Sequence, residues 1–211
     1  MKNICFSFIA LLLFPVTVSV ADTDVEWLVV PGESVGKISY ETSQEDLKDL
    51  YGADNVLESD IYIGEGFTKP GAVLFPDDPA KKLEIVWQDE TRSSPDYVII
   101  RKEATAWKTK QGIGIDTELK EIERLNGGIF SLLGFGWDYS GTVDNYNGGK
   151  LQAFKEQGLI LRLFPAGEKR HTPEYSQVSG DWVFKSDMSA MQKLNPTVHQ
   201  MVVDIRKSED L

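Results

Sequence analysis

The chain has 211 residues, of which 33 are acidic and 22 basic, for a formal charge of −11. An acidic excess of this size argues against nucleic acid as a partner. No stretch gathers the several lysines and arginines that hold a protein on an anionic membrane surface.

The first 21 residues read as a secretory signal peptide: Lys2, then an uncharged apolar run, then the small-residue triplet Ser19, Val20, Ala21. Pro15 interrupts the run short of the roughly 20 apolar residues a spanning helix needs, so no membrane anchor is expected after cleavage. Removal of Lys2 takes the charge from −11 to −12. The single cysteine, Cys5, leaves with the leader. The expected product is periplasmic or secreted, yet has neither disulfides nor thiolate ligands, although exported domains often depend on them. A chain of roughly 190 residues can stand on its core instead, because it buries about two thirds of its unfolded surface.

Next come two segments that echo each other. "KISYETSQEDLKDLYG" at 37–52 aligns without a gap on "GIGIDTELKEIERLNG" at 112–127, matching Ile38 with Ile113, Thr42 with Thr117, Leu50 with Leu125 and Gly52 with Gly127. Thr42 and Glu45 have the spacing of a capping box; Asp116 and Thr117 are the candidate caps of the second copy. Apolar spacing by three predicts a short helix in each, stopped by the glycine. Strands are expected at "AVLF", "LEIVW", "DYVIIR", "GTVDNY" and "LILRLF", each bounded by turn residues. "MSAMQKL", ended by Pro196, and "HQMVVDIRK" predict a closing helix and strand. Helices and strands are grouped instead of alternating one by one, which indicates α+β with antiparallel sheet. The expected organisation is a first unit at 22–104, a second at 105–180 and a closing element at 181–211, with the two helix-plus-sheet units able to share one continuous sheet.

The pattern of Ile, a short link, Thr, an acidic-Leu pair and a closing Leu-x-Gly, followed by strands, resembles the helix-plus-sheet unit of the outer-membrane lipoprotein of the barrel assembly machinery. Two such units in tandem resemble the β-lactamase inhibitory protein, which implies a concave, aromatic-lined sheet that binds another protein. This chain departs from both: it lacks the lipid-bearing cysteine of the first family and the disulfides of the second. "LNG" followed by "GFGWDYSG" also resembles a group of bacterial secreted proteins.

Motifs for chemistry are sparse. His171 and His199 are the only histidines, no G-x-S-x-G elbow occurs, and two distant histidines without cysteine do not make a zinc site. No Walker loop or dinucleotide fingerprint is present, so no cofactor is expected. The richest stretch is "GFGWDYSGTVDNYNGGKL" at 134–151, where Trp137, Tyr139 and Tyr146 are interleaved with Asp138, Asp144 and Asn145. Strand alternation predicts Trp137 and Tyr139 on one face and Asp138 on the other. One reading is a hairpin whose rings fill the core. A second is a recognition face for a protein or glycan, because aromatic rings dominate binding hot spots. A third makes Asp138 and Asp144 the carboxylate pair of a glycan-cleaving enzyme, and a fourth makes the chain a structural accessory of the envelope. The expectation carried forward is a non-enzymatic binding or inhibitory module.

Overall fold

The two echoing segments fold into helices of equal length whose ends are 75 residues apart: α1 is Gln44–Tyr51 and α2 is Leu119–Asn126. A computed structural model describes residues 26–206; the segment expected to be a leader, with Cys5, lies outside the described residues, as does 207–211.

The α1 cap sits one residue later than Thr42. Ser43 and Asp46 form the reciprocal box, Ser43 N donating to Asp46 Oδ2 at 2.9 Å and Asp46 N to Ser43 Oγ at 3.2 Å. Thr42 instead closes the preceding turn, its Oγ1 accepting from Ser39 N at 2.9 Å. Thr117 does the same for Gly114 N at 3.0 Å, so neither Thr117 nor Asp116 caps α2; Glu118 holds the N-cap position without a side-chain bond. The two threonines therefore do one job in both segments. Leu47 and Ile122 are both buried in the main core, while Leu50 stays exposed.

In chain order β1 (Leu28–Val30), β2 (Ser34–Val35) and β3 (Ile38–Ser39) precede α1. After it come β4 (Val56–Gly64), β5 (Phe67–Leu74), β6 (Leu83–Trp87) and β7 (Pro95–Arg101), a meander of four antiparallel strands. β8 (Lys108–Thr109) joins β1 to β3 in a small sheet ahead of α2. Then follow β9 (Ser131–Leu133), β10 (Val143–Asn145), α3 (Gln152–Glu156), β11 (Leu159–Phe164), α4 (Pro173–Gln177), β12 (Val183–Lys185), α5 (Ser189–Leu194) and β13 (Thr197–Asp204).

The fold is α+β. Its largest sheet has six strands in the order β11-β13-β7-β6-β5-β4 and takes strands from both halves of the chain. A three-stranded sheet, β10-β9-β12, abuts β11 through an antiparallel bridge between Thr142 and Arg162 and a bond from Leu163 N to Gly141 O at 2.9 Å. Followed outward from the β7–β13 pair, one side runs β7, β6, β5, β4 and the other β13, β11, β10, β9, β12. The strands of 181–206 belong to this run, since β12 flanks β9 and β13 lies between β11 and β7.

Alternation sorts the two faces of the large sheet. Ile85, Val98, Ile100, Leu161, Met201 and Val203 point into the core shared with α1 and α2. Ile61, Val73, Val86 and Ile99 form a smaller cluster on the opposite face, flanked by Tyr97 and Val202. The 3-10 turn Gly167–His171 reaches one end of that second face, where Arg170 lies 4.7 Å from the Phe164 ring; the remainder, around Ile160, is the open face of the molecule.

Candidate functional site

Two rows of side chains cross the open face side by side. One is apolar, Ile160 opposite Val202 opposite Ile99; the next is polar, Arg162 opposite Gln200 opposite Arg101. Arg101 is tied down, its Nε donating to Glu84 Oε2 and its Nη2 to Tyr62 O, both at 2.7 Å.

The tip of the β4–β5 hairpin and the turn between β9 and β10 meet above these rows. Glu65, at the hairpin tip with φ of 52°, accepts from the Tyr139 hydroxyl at 3.1 Å. The Tyr139 ring also lies 5.7 Å from the Arg162 guanidinium. The bond to Glu65 raises the pKa of the Tyr139 phenol. Beneath the junction is a groove of about 340 Å³, bounded by Tyr62, Ile63, Asp138, Ile160, Arg162 and Val202.

Residues 137–141 form a turn, not a strand, so the predicted alternation does not apply to them. Trp137 N donates to Ser140 Oγ at 2.9 Å and Trp137 Nε1 to Gly134 O at 3.0 Å, which ties the turn to itself. The Trp137 and Tyr139 rings still share a side, packed edge-on with centroids 5.4 Å apart. Trp137 is half-buried; Asp138 and Tyr139 are exposed.

Tyr146 does not join them. It is 1% exposed and packed against Phe130 and Phe154, and burial drives its phenol pKa up. Asp144 faces Lys155 of α3 at 3.8 Å, and Asn145 Oδ1 accepts from Asn147 N at 2.7 Å in a local turn. Of the six residues singled out in the sequence, Asp138 borders the groove and Tyr139 stands beside it over Arg162, with Trp137 packed against Tyr139. Asp144, Asn145 and Tyr146 belong to the far end of the β9–β10 segment, where Asp144 faces Lys155 and not Asp138.

Tyr62, Ile63, Glu65, Ile160 and Arg162 were missed in the sequence. One signal was available: Arg162 is the lone charge in "LILRLF", an apolar strand where a charge must face outward or find a partner.

The histidines lie elsewhere. His171 ends a 3-10 turn, and His199 is half-buried with its ring 5.4 Å from Phe164. Burial lowers the pKa of His199, and Lys102 and Arg170 lower it further. No group of three metal-ligating side chains occurs, and no helix is long and apolar enough to cross a membrane, among the described residues. No protein family, curated protein or solved structure matches the chain.

Proposed function

We propose that the chain is an exported, non-enzymatic binding module that recognises another protein or an envelope component through the open face of its sheet. The observation that carries this reading is the exposure of large apolar side chains around the groove: Tyr62 is 54% exposed, Tyr139 45% and Ile160 41%. Single exposed apolar residues are ordinary on a protein surface; several bordering one concavity are the usual mark of a recognition surface. The site has rings that present large contact area at small entropic cost, and a rim held in place by the Tyr139–Glu65 bond. The leader-like residues 1–21 support export and an envelope partner. Should the target be an enzyme, binding at this face would make the module an inhibitor.

Site-specific photo-crosslinking in the producing cell tests the reading. A photoreactive residue at Ile160 or Tyr62 is expected to give a discrete adduct that the same group at Asp54, on the turn after α1, does not give. Equal labelling from both positions, or none from the groove, would count against the proposal.

A further inference from the structure

We infer that the groove takes a single carboxylate side chain from a partner protein, seated on Arg162. This rests on the binding reading above and names the chemistry of its ligand. In a chain with 33 acidic residues, the Arg162 side chain makes no hydrogen bond and no ion pair with any described residue, and its Nε lies buried without a partner. An arginine offers five donors in a fixed fork, and a buried donor left unmade is expensive enough that native structures rarely keep one without a use.

The surrounding acids do not relieve it. Glu84 is engaged by Arg101, and Glu65 accepts from Tyr139. Asp138 borders the groove at its exposed rim and forms no ion pair. The Tyr139 ring covers Arg162 at 5.7 Å. Nε itself is enclosed, so an incoming carboxylate meets the outer Nη1–Nη2 edge of the guanidinium, whose two donors match its two oxygens with parallel bonds.

Two features narrow the ligand. Asp138 at the rim repels polyanions, so a monoanionic carboxylate suits the site better than a phosphate. The groove holds about 340 Å³ and is bordered by Ile160, Val202 and Ile63, which suits one or two side chains inserted from a partner's loop: a glutamate or aspartate with an apolar neighbour.

The experiment uses the ¹⁵N-labelled protein and two capped tripeptides, one with glutamate between two leucines and one with glutamine in its place. The Arg162 Nε–H resonance and the backbone amides of Ile160 and Val202 report on the groove. The glutamate peptide should move all three and bind about tenfold more tightly than the glutamine peptide, the difference one charge-assisted bond supplies. R162Q should erase the difference, and R162K should keep part of it because the charge remains while the fork is lost. Both variants should fold, with unfolding midpoints within a few degrees of the parent, because they exchange only the buried Nε–H and the contact with the Tyr139 ring. Should R162Q unfold early, the R162K comparison alone carries the test. Equal affinity for the two peptides would overturn the carboxylate inference and leave the binding reading standing. If neither peptide moves these resonances at millimolar concentration the inference also falls, and cross-linking from Ile160 decides the binding reading independently.

Discussion

Replacing Arg162 with methionine should stabilise the fold. The Nε–H group is buried without an acceptor, and a donor in that state costs about 1–3 kcal/mol. Against that stands the contact with the Tyr139 ring, a stacking of order 0.5–1 kcal/mol at a partly exposed site. Methionine reaches as far as the Nε position with an apolar end, so it fills the buried part of the site without the unpaired donor. The net expectation is a gain of about 1 kcal/mol, or roughly 2–4 °C in Tm for a chain of this size. Urea unfolding should show a higher midpoint with an unchanged m-value, the sign that stability moved and not the compactness of either state. A loss of more than about 1 kcal/mol would refute the reasoning, because it would mean that the guanidinium has a structural acceptor. A gain accompanied by loss of carboxylate binding would mark Arg162 as a residue kept for function at a cost in stability.

Three further substitutions probe the frame around the groove. Gly141 has φ of 66°, and a Cβ there would stand 1.8 Å from Leu163 O; Gly141→Ala should cost at least about 2 kcal/mol and remove hydrogen-exchange protection at Leu163 N, where the two sheets join. Asn126 is 1% exposed, donates to Gly128 O and Tyr146 O and accepts from Leu151 N; Asn126→Ala leaves Leu151 N without an acceptor while Tyr146 O keeps its bond from Gly149 N, and denaturant titration should show a loss of about 1–3 kcal/mol. His199 has its pKa lowered by burial, Lys102, Arg170 and Arg101, with Asp116 acting the other way. The unfolded chain therefore takes up its proton first as pH falls. Stability from this group is flat above the unfolded value of about 6.5 and declines below it, and His199→Gln should flatten that decline between about pH 7 and pH 5. Parallel curves for the two proteins would show that another group governs the slope.

The α+β class and the two helices were legible because their signals are local. Apolar spacing, a polar residue before the first turn and Gly52 and Gly127 after the last all act within a dozen residues. The α1 cap shifted by one because Thr42 and Ser43 each have an acidic residue three positions on, and tertiary context gave the threonine to the preceding turn. β4 went unseen: Glu58, Ser59 and Asp60 break the apolar run, as charges commonly do on an edge strand. The 134–151 stretch stands out in the sequence, but its division does not. Tyr139 and Tyr146 look alike in the sequence, and only the turn after Trp137 sends one to the surface and the other into the core. Arg162 gains its meaning from residues far away in the chain, Glu65, Tyr139 and Gln200.

The position of the groove follows from curvature. From β4 to β10 the connected run has six strand spacings, which in a flat sheet would separate them by on the order of 30 Å. Yet Glu65 and Tyr139, from the hairpin tip at one end and the turn at the other, are hydrogen-bonded at 3.1 Å. Arg101 on β7 likewise reaches Tyr62 O on β4, three strands away. The strands must coil strongly, with the open face on the inside of the bend, and the β4–β5 register shift after Tyr62 is one place where such bending is taken up. Gly71 permits the close approach on this face: a Cβ there would lie 2.3 Å from Ile61 Cγ1 and 2.5 Å from Ile85 O. Gly71→Ala should therefore push β4 outward, break the Glu65–Tyr139 contact and open the groove while the opposite core stays intact. Spin labels at Phe67 and Asp138 measure this directly, with a longer and broader distance distribution expected in the variant. An unchanged distribution would mean that the hairpin tip is held by contacts other than the curl of the sheet.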